Sequence, residues 1–322
     1  MPDAKLDAAF EPVVAAMAGA PPVSSLTPQE ARTLWADADM GEAEAVWDVR
    51  DMEVPGAARA IAARFYSPEV PTALILYLHG GGWVLGDLLQ HDPAVRAFAN
   101  RTGAAILSIN YRLAPEHPFP AGLDDAYAAL IWCLAHRDEL AGGPVPLLVA
   151  GDSAGGNLAA VLALEARDRG GPPIDGQLLI YPVIDACCDT PSWRENADCP
   201  LLTSRDMAWY WNHYVGQADR RDPRLSPCEA HDHAGLPAAI LAIAEIDPLR
   251  DEGLNYADQL ARAGTAVTIL RYDNLPHGFF NFAHVSDRAA MAFNEIAAAT
   301  RRLIAAATRR LIAAASDSPI AE

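Results

Sequence analysis

Pro146-Leu147-Leu148-Val149-Ala150-Gly151-Asp152-Ser153-Ala154-Gly155-Gly156 carries an apolar run straight into a serine framed as G-x-S-x-G, and from there into a helix-forming stretch that lasts to Arg169. A continuous apolar run of this length suits a strand buried on both faces. Where such a strand reverses sharply into a helix, the residue at the turn is forced into strained backbone geometry, and flanking glycines let neighbouring chain pass closely. Ser153 is therefore expected to lift its hydroxyl above a sheet. It would also stand at a helix start, where unpaired N–H groups and the positive end of the dipole favour an anionic intermediate. Alone, the frame arises by chance in about one chain in ten of this length, so other residues have to carry the reading.

Working outward, short apolar runs alternate with longer helical patterns from Ala73 onward. This alternation is the sequence mark of repeated βαβ units, and it predicts the α/β class with a mostly parallel central sheet flanked by helices. The strand candidates are Ala73–Leu78, Ala104–Tyr111, Leu147–Gly151, Gln177–Tyr181, Ala238–Glu245 and Ala266–Tyr272. Between them, helices are expected at His91–Thr102, Gly122–His136, Gly155–Arg169 and Glu252–Ala263, the last two closed by glycines. Upstream, Ala45–Val54 and Ala58–Tyr66 alternate around Pro55-Gly56 and read as an edge hairpin. Two stretches break the alternation: Lys5–Met40, helical and punctuated by proline, and Asp185–Ala234, which holds Met207-Ala208-Trp209-Tyr210-Trp211. Either suits a lid over a site, although the aromatic run would equally serve as core packing.

Whole-chain properties narrow the function classes. At 322 residues, 51% of them hydrophobic, the chain can bury one large α/β core with an accessory element. A net charge of −18 disfavours nucleic acid and anionic membranes as partners, since both require clustered Lys and Arg. Five cysteines, with Cys187 and Cys188 adjacent and no C-x-x-C spacing, do not form a secreted disulfide framework, so a cytoplasmic setting is expected. Met1 to Pro12 lacks the pattern of a signal peptide, and no uncharged apolar stretch reaches membrane-spanning length. At the other end, Thr300–Ala307 recurs as Thr308–Ala315. A period of eight matches no solenoid, and strong helix formers fill both copies. One final helix is expected, with its second copy projecting or frayed.

A second motif supports the serine. His79-Gly80-Gly81-Gly82-Trp83 directly follows the strand candidate Ala73–Leu78. A glycine run leaves backbone N–H groups free to face a developing oxyanion, and losing one such donor typically costs about 3 kcal/mol. Gly81 and Gly82 are the candidate donors, with Ala154, the residue after the serine, as the third. A serine hydroxyl also needs a base held in the right tautomer by a carboxylate. His277 follows the last strand candidate after a short loop, and Asp247 ends the preceding strand. Both would then share the carboxyl edge of the sheet with Ser153, the edge where open α/β sheets bind ligands. Glu245, within the strand run, and Asp251, at a helix start where capping explains an acid, are weaker candidates. Among the remaining histidines, His79 is expected to brace its turn and His117 to belong to a proline-rich loop. His231 and His233 flank Asp232 in a polar loop without a fourth ligand, a weak metal signal.

Together these residues resemble the hormone-sensitive-lipase-like (family IV) carboxylesterases of the α/β-hydrolase superfamily. The resemblance spans Leu74 to Phe280 and rests on HGGGW at His79–Trp83, YRLAPEHPFP at Tyr111–Pro120, GDSAGG at Gly151–Gly156, DPLRDEG at Asp247–Gly253 and HGF at His277–Phe279. It implies an α/β-hydrolase fold and a Ser153/Asp247/His277 triad. It further implies a helical cap from residues 1–42 and 185–234, over a core formed by residues 43–184 and 235–322. Short to medium acyl esters are the implied small-molecule substrates, hydrolysed through an acyl-enzyme with no metal or organic cofactor, by a monomer or homodimer. Cys228, where the family often has an aliphatic residue, and the doubled tail are departures. A lactonase, amidase or deacetylase could use the same constellation. Hormone receptors resembling the family lack the catalytic histidine, whereas His277 is present here.

Overall fold

Leu147–Asp152, buried at all six positions, is the central strand about which the chain is laid out. Leu147 and Val149 face one hydrophobic cluster while Leu148 and Ala150 face another, so the alternating pleat seals two layers at once. Fully burying each such leucine or valine contributes about 1.5–3 kcal/mol.

The computed structural model describes residues 5–316. Their order is α1 (Glu11–Ala18), α2 (Pro28–Ala36), β1 (Asp48–Pro55), β2 (Ala60–Ser67), β3 (Leu74–Leu78), α3 (Leu88–Thr102), β4 (Ala105–Ile109), α4 (Ala121–Ala141), β5 (Leu147–Asp152), α5 (Ala154–Asp168), β6 (Gly176–Ile180), α6 (Pro191–Glu195), α7 (Ser204–Tyr214), β7 (Ala239–Ile246), α8 (Arg250–Arg262), β8 (Val267–Pro276) and α9 (Asp287–Ser316). The strands form one eight-stranded sheet in the order β1-β2-β4-β3-β5-β6-β7-β8. Pairing is antiparallel for β1–β2 and β2–β4 and parallel from β4 to β8, giving an α/β fold with a mostly parallel sheet. One core cluster gathers residues of α4, α5 and α8 and the other gathers α3 and α9, so helices cover both faces.

Several boundaries shift from those read in the sequence, each for a local reason. Helix α3 starts at Leu88 rather than His91, because the Asp87 side chain accepts the N–H groups of Leu89 and Gln90. Helix α4 runs past His136 to Ala141, where Gly142 adopts a left-handed φ of 71°. Strand β8 continues past Tyr272 to Pro276, drawn along by pairing with β7.

Both octets of the C-terminal duplication lie in one helix, α9, which stays regular to Ser316. Eight residues turn an α-helix about 80° beyond two full turns. The second copy therefore cannot reproduce the contacts of the first: Ile304 is 3% exposed but Ile312 is 62% exposed. The copy projects without fraying.

Residues 5–42 and 185–234 hold short helices rather than strands, and both bond to loops that follow strand ends. Arg32 of α2 donates to the carbonyls of Val84 and Ala114 and makes a bidentate pair with Glu116. Asp206 of α7 accepts from Ser24 N–H at 2.9 Å, joining the two segments. Among the described residues no helix is long and apolar enough to cross a membrane.

Candidate active site

Ser153 sits between β5 and α5 with φ 55° and ψ −117°, a left-handed φ that strains any residue but glycine. Two backbone bonds fix the turn: Ser153 N–H donates to the Ile180 carbonyl at 2.9 Å, and Val183 N–H donates to the Ser153 carbonyl at 3.1 Å. Gly155 is required by close approach, since a Cβ there would run into the Leu78 carbonyl. The strain thus lifts the hydroxyl out of the sheet, over the first turn of α5.

The other two residues arrive from adjacent strands. Parallel pairing of β7 and β8 slips between Ala244 and Ile246, setting Ile246 opposite Pro276. His277 N–H then donates to the Ile246 carbonyl at 3.3 Å, so the residue after β8 lies beside the residue after β7. His277 Nδ1 is 2.7 Å from Asp247 Oδ2 and Nε2 is 2.9 Å from Ser153 Oγ. A carboxylate only accepts, so Nδ1 carries the proton and Nε2 is left to accept from the serine hydroxyl. Leu249 N–H occupies Asp247 Oδ1 at 2.8 Å, which fixes the carboxylate plane. All three residues are buried, with Ser153 and His277 each 8% and Asp247 1% exposed.

Neither competing acid reaches His277. Glu245 pairs with Arg250 at 3.1 Å and Arg271 at 2.8 Å. Asp251, expected to cap a helix, instead accepts from Ser192 N–H at 2.8 Å and from Arg250. The neighbouring carbonyl of Asp247 accepts from Asn196 at 3.0 Å, so the segment after β6 also steadies the acid.

Gly81 and Gly82 follow β3 with φ of 104° and 60°. The turn winds on Gly81, whose carbonyl accepts from the N–H groups of Val84 and Leu85. Leu78 pairs with Gly151, bringing this turn alongside Ser153, and Ala154 is the first residue of α5, whose N–H has no carbonyl a turn earlier to bond. Above the turn, a Cβ on Gly82 would strike the Tyr210 ring. Trp83 stacks on Tyr214 with centroids 4.3 Å apart and meets Trp211 at 4.4 Å. The aromatic run of α7 is therefore both core packing and the roof of the glycine turn.

A family profile described as the alpha/beta hydrolase fold matches residues 75–281. The chain belongs to the α/β-hydrolase family. It is 44% identical over 263 residues to the carboxylic ester hydrolase LipN of Mycobacterium tuberculosis, covering 79% of this chain and 70% of that protein. It is also 46% identical over 254 residues to carboxylesterase NlhH of the same species, covering 75% of this chain and 78% of that one. A hyperthermophilic esterase from the archaeon Pyrobaculum calidifontis has a similar solved structure, with TM-score 0.88, 36% identity and coverage of 93% of this chain and 99% of that chain.

In this α/β-hydrolase the other histidines weighed from the sequence lie in different settings. His79 is fully buried, stacks on Tyr111 at 4.4 Å and is pushed down to about 4 by burial and by neighbouring His91. His117 is exposed on its loop, and His233 is buried with Nε2 2.9 Å from the Pro227 carbonyl. Among the described residues no group of three or more His, Cys, Asp or Glu side chains is arranged to hold a metal ion.

Two carboxyl groups escaped the sequence reading. Glu252 is 2% exposed, and its Oε1 accepts from the N–H groups of Ile184 and Asp185, fastening the start of the 185–234 segment. Burial raises it well above the usual carboxyl range. Asp152, inside the serine motif, binds groups from three other parts of the chain. Only the run of motif residues around Ser153 hinted at it, because its partners are distant in sequence.

Proposed function

We propose that this α/β-hydrolase is a serine carboxylesterase in which Ser153, His277 and Asp247 act as nucleophile, base and orienting acid. The observation that carries the reading is the continuous contact from Ser153 Oγ through both ring nitrogens of His277 to Asp247. The Ser153 oxygen attacks the ester carbonyl as its proton passes to His277 Nε2, and the resulting imidazolium is held by Asp247. The N–H groups of Gly81, Gly82 and Ala154 receive the oxyanion. Collapse of the tetrahedral species expels the alcohol, which takes the proton from His277, and leaves an acyl-serine. Water repeats the sequence and releases the acid.

Residues 5–42 and 185–234 act as the cap over this site, and residues 43–184 and 235–316 as the core. Short to medium acyl esters fit an aromatic roof lying directly on the oxyanion turn. A relative 37% identical over 226 residues, from Pseudomonas putida, is named ethyl acetate hydrolase, which supports small esters. The reaction needs no cofactor. The outer edge of β8 is a place for a second copy to add, consistent with a monomer or homodimer, and the free cysteines suit a cytoplasmic setting.

Hydrolysis of p-nitrophenyl butyrate by wild type and Ser153→Ala is the direct test. Loss of kcat by a factor of about 10⁶ is expected for a lost nucleophile. Turnover by the variant near that of wild type would remove Ser153 from the mechanism.

A further inference from the structure

The carboxylate of Asp152, one residue before the nucleophile, is 2% exposed. Its Oδ1 accepts from the Tyr77 hydroxyl at 2.7 Å and from Gly80 N–H at 3.0 Å, and its Oδ2 accepts from Asn281 Nδ2 at 2.9 Å. These donors come from β3, from the glycine turn and from the loop four residues beyond His277. On the remaining side, His91 of α3 brings Nε2 to 3.8 Å from Oδ1, while its Nδ1 is 3.1 Å from the Asp87 carbonyl. His91 is itself 2% exposed. Nδ1 thus faces the Asp87 carbonyl at hydrogen-bond distance and Nε2 faces the Asp152 carboxylate at ion-pair distance, so the ring meets acceptors on both sides, a setting that favours the doubly protonated imidazolium.

Resting on the esterase reading, we propose that Asp152 and His91 form a buried charge pair that positions the oxyanion turn relative to Ser153. Asp152 is a positioning residue: it touches no reacting atom but pins Gly80, and hence the Gly81 and Gly82 N–H groups, to the strand end that carries the nucleophile. A displacement of about 1 Å at such a site costs about a hundredfold in rate. The same carboxylate grips Asn281, so the loop bearing the base is tied to the same point.

The titratable groups around the pair fit this role. For Asp152, burial works against ionisation, but neighbouring His91 and the bonds from Tyr77 and Asn281 hold it below the usual carboxylate range. For His91, burial opposes the charge, yet Asp152 and the Asp87 carbonyl raise it above the ordinary histidine value. The other groups facing them are Tyr77, Tyr111 and Tyr181, all raised by burial, His79, lowered, and Asp87, whose carboxylate is taken by Leu89 and Gln90 N–H.

Asp152→Asn removes the charge with almost no change of shape. Asn281 Oδ1, buried without a partner among the described residues, can turn to accept from the new amide. With p-nitrophenyl butyrate, kcat is expected to fall about tenfold or more while KM stays within about threefold. Titration of Ser153 with a phosphonate should count as many sites as in wild type. His91→Gln keeps a donor for the Asp87 carbonyl without the charge; its loss should be smaller and of the same kind, and the double variant no worse than Asp152→Asn. By NMR, the His91 ring should be an imidazolium at neutral pH in wild type and neutral in Asp152→Asn. The proposal fails if Asp152→Asn keeps the wild-type kcat, if its loss is only a loss of titratable sites, or if His91 is neutral in wild type. A wild-type protein that hydrolyses no ester would instead overturn the esterase reading, and the positioning role with it.

Discussion

The carboxyl edge of the sheet and the two segments packed upon it are held by different physics. At the edge, Ser153, His277 and Asp247 are placed by backbone bonds, strand register and a buried carboxylate, leaving each side chain a single geometry. Above it, residues 5–42 and 185–234 are held by stacked aromatic rings and by an arginine whose partner Glu116 is 54% exposed. The contrast teaches that the proposed chemistry rests on strand register and backbone bonds, whereas the segments over it rest more on side-chain packing.

The largest effect should come from breaking the lower layer. Asp247→Asn leaves shape intact but removes the acceptor that selects the His277 tautomer, and kcat should drop by a factor of about 10⁴ with the melting temperature little changed. Steady-state kinetics with a parallel thermal melt decide this, and an unchanged kcat would separate Asp247 from the mechanism. Next comes the joint between layers. Trp211 is fully buried against Trp83, so Trp211→Ala should cost about 3–5 kcal/mol by urea unfolding. A loss well below that range would mean that the roof is not coupled to the glycine turn.

The smallest effect should come from the upper layer alone. Arg32→Ala should cost about 1 kcal/mol, because its partner Glu116 is half exposed, and should alter KM a few-fold more than kcat. Hydrogen bonds from Arg32 come first among the causes that hold Glu116 down to about 2. This pair therefore stabilises above the ordinary carboxylate range, and its contribution disappears as pH falls through about 2. Urea midpoints of wild type and variant should accordingly converge in acid; a gap independent of pH would assign the effect to the carbonyl bonds at Val84 and Ala114 instead.

The same division explains what was legible beforehand. Parallel strands such as Leu147–Asp152 announce themselves as unbroken apolar runs, and Ser153, Asp247 and His277 fall at strand ends that can be counted in order. Helix starts were harder: α3 begins three residues before the expected His91, at a cap whose side chain bonds only local N–H groups. Least readable was the cluster around Asp152, where residues 77, 80, 91 and 281 converge from separate elements with no spacing to betray them. The aromatic run of α7 resisted a single reading because packing and roofing demand the same residues.

The bond from His277 N–H to the Ile246 carbonyl makes the proposed base an attachment of an edge strand. Strand β8 pairs with β7 on one side, and its other edge takes no strand among the described residues. Were its last rungs and the Asn281 bond to Asp152 to give way, His277 would leave while the central strands kept Ser153 in place. Activity lost on warming before the fold itself melts would be the signature of that separation.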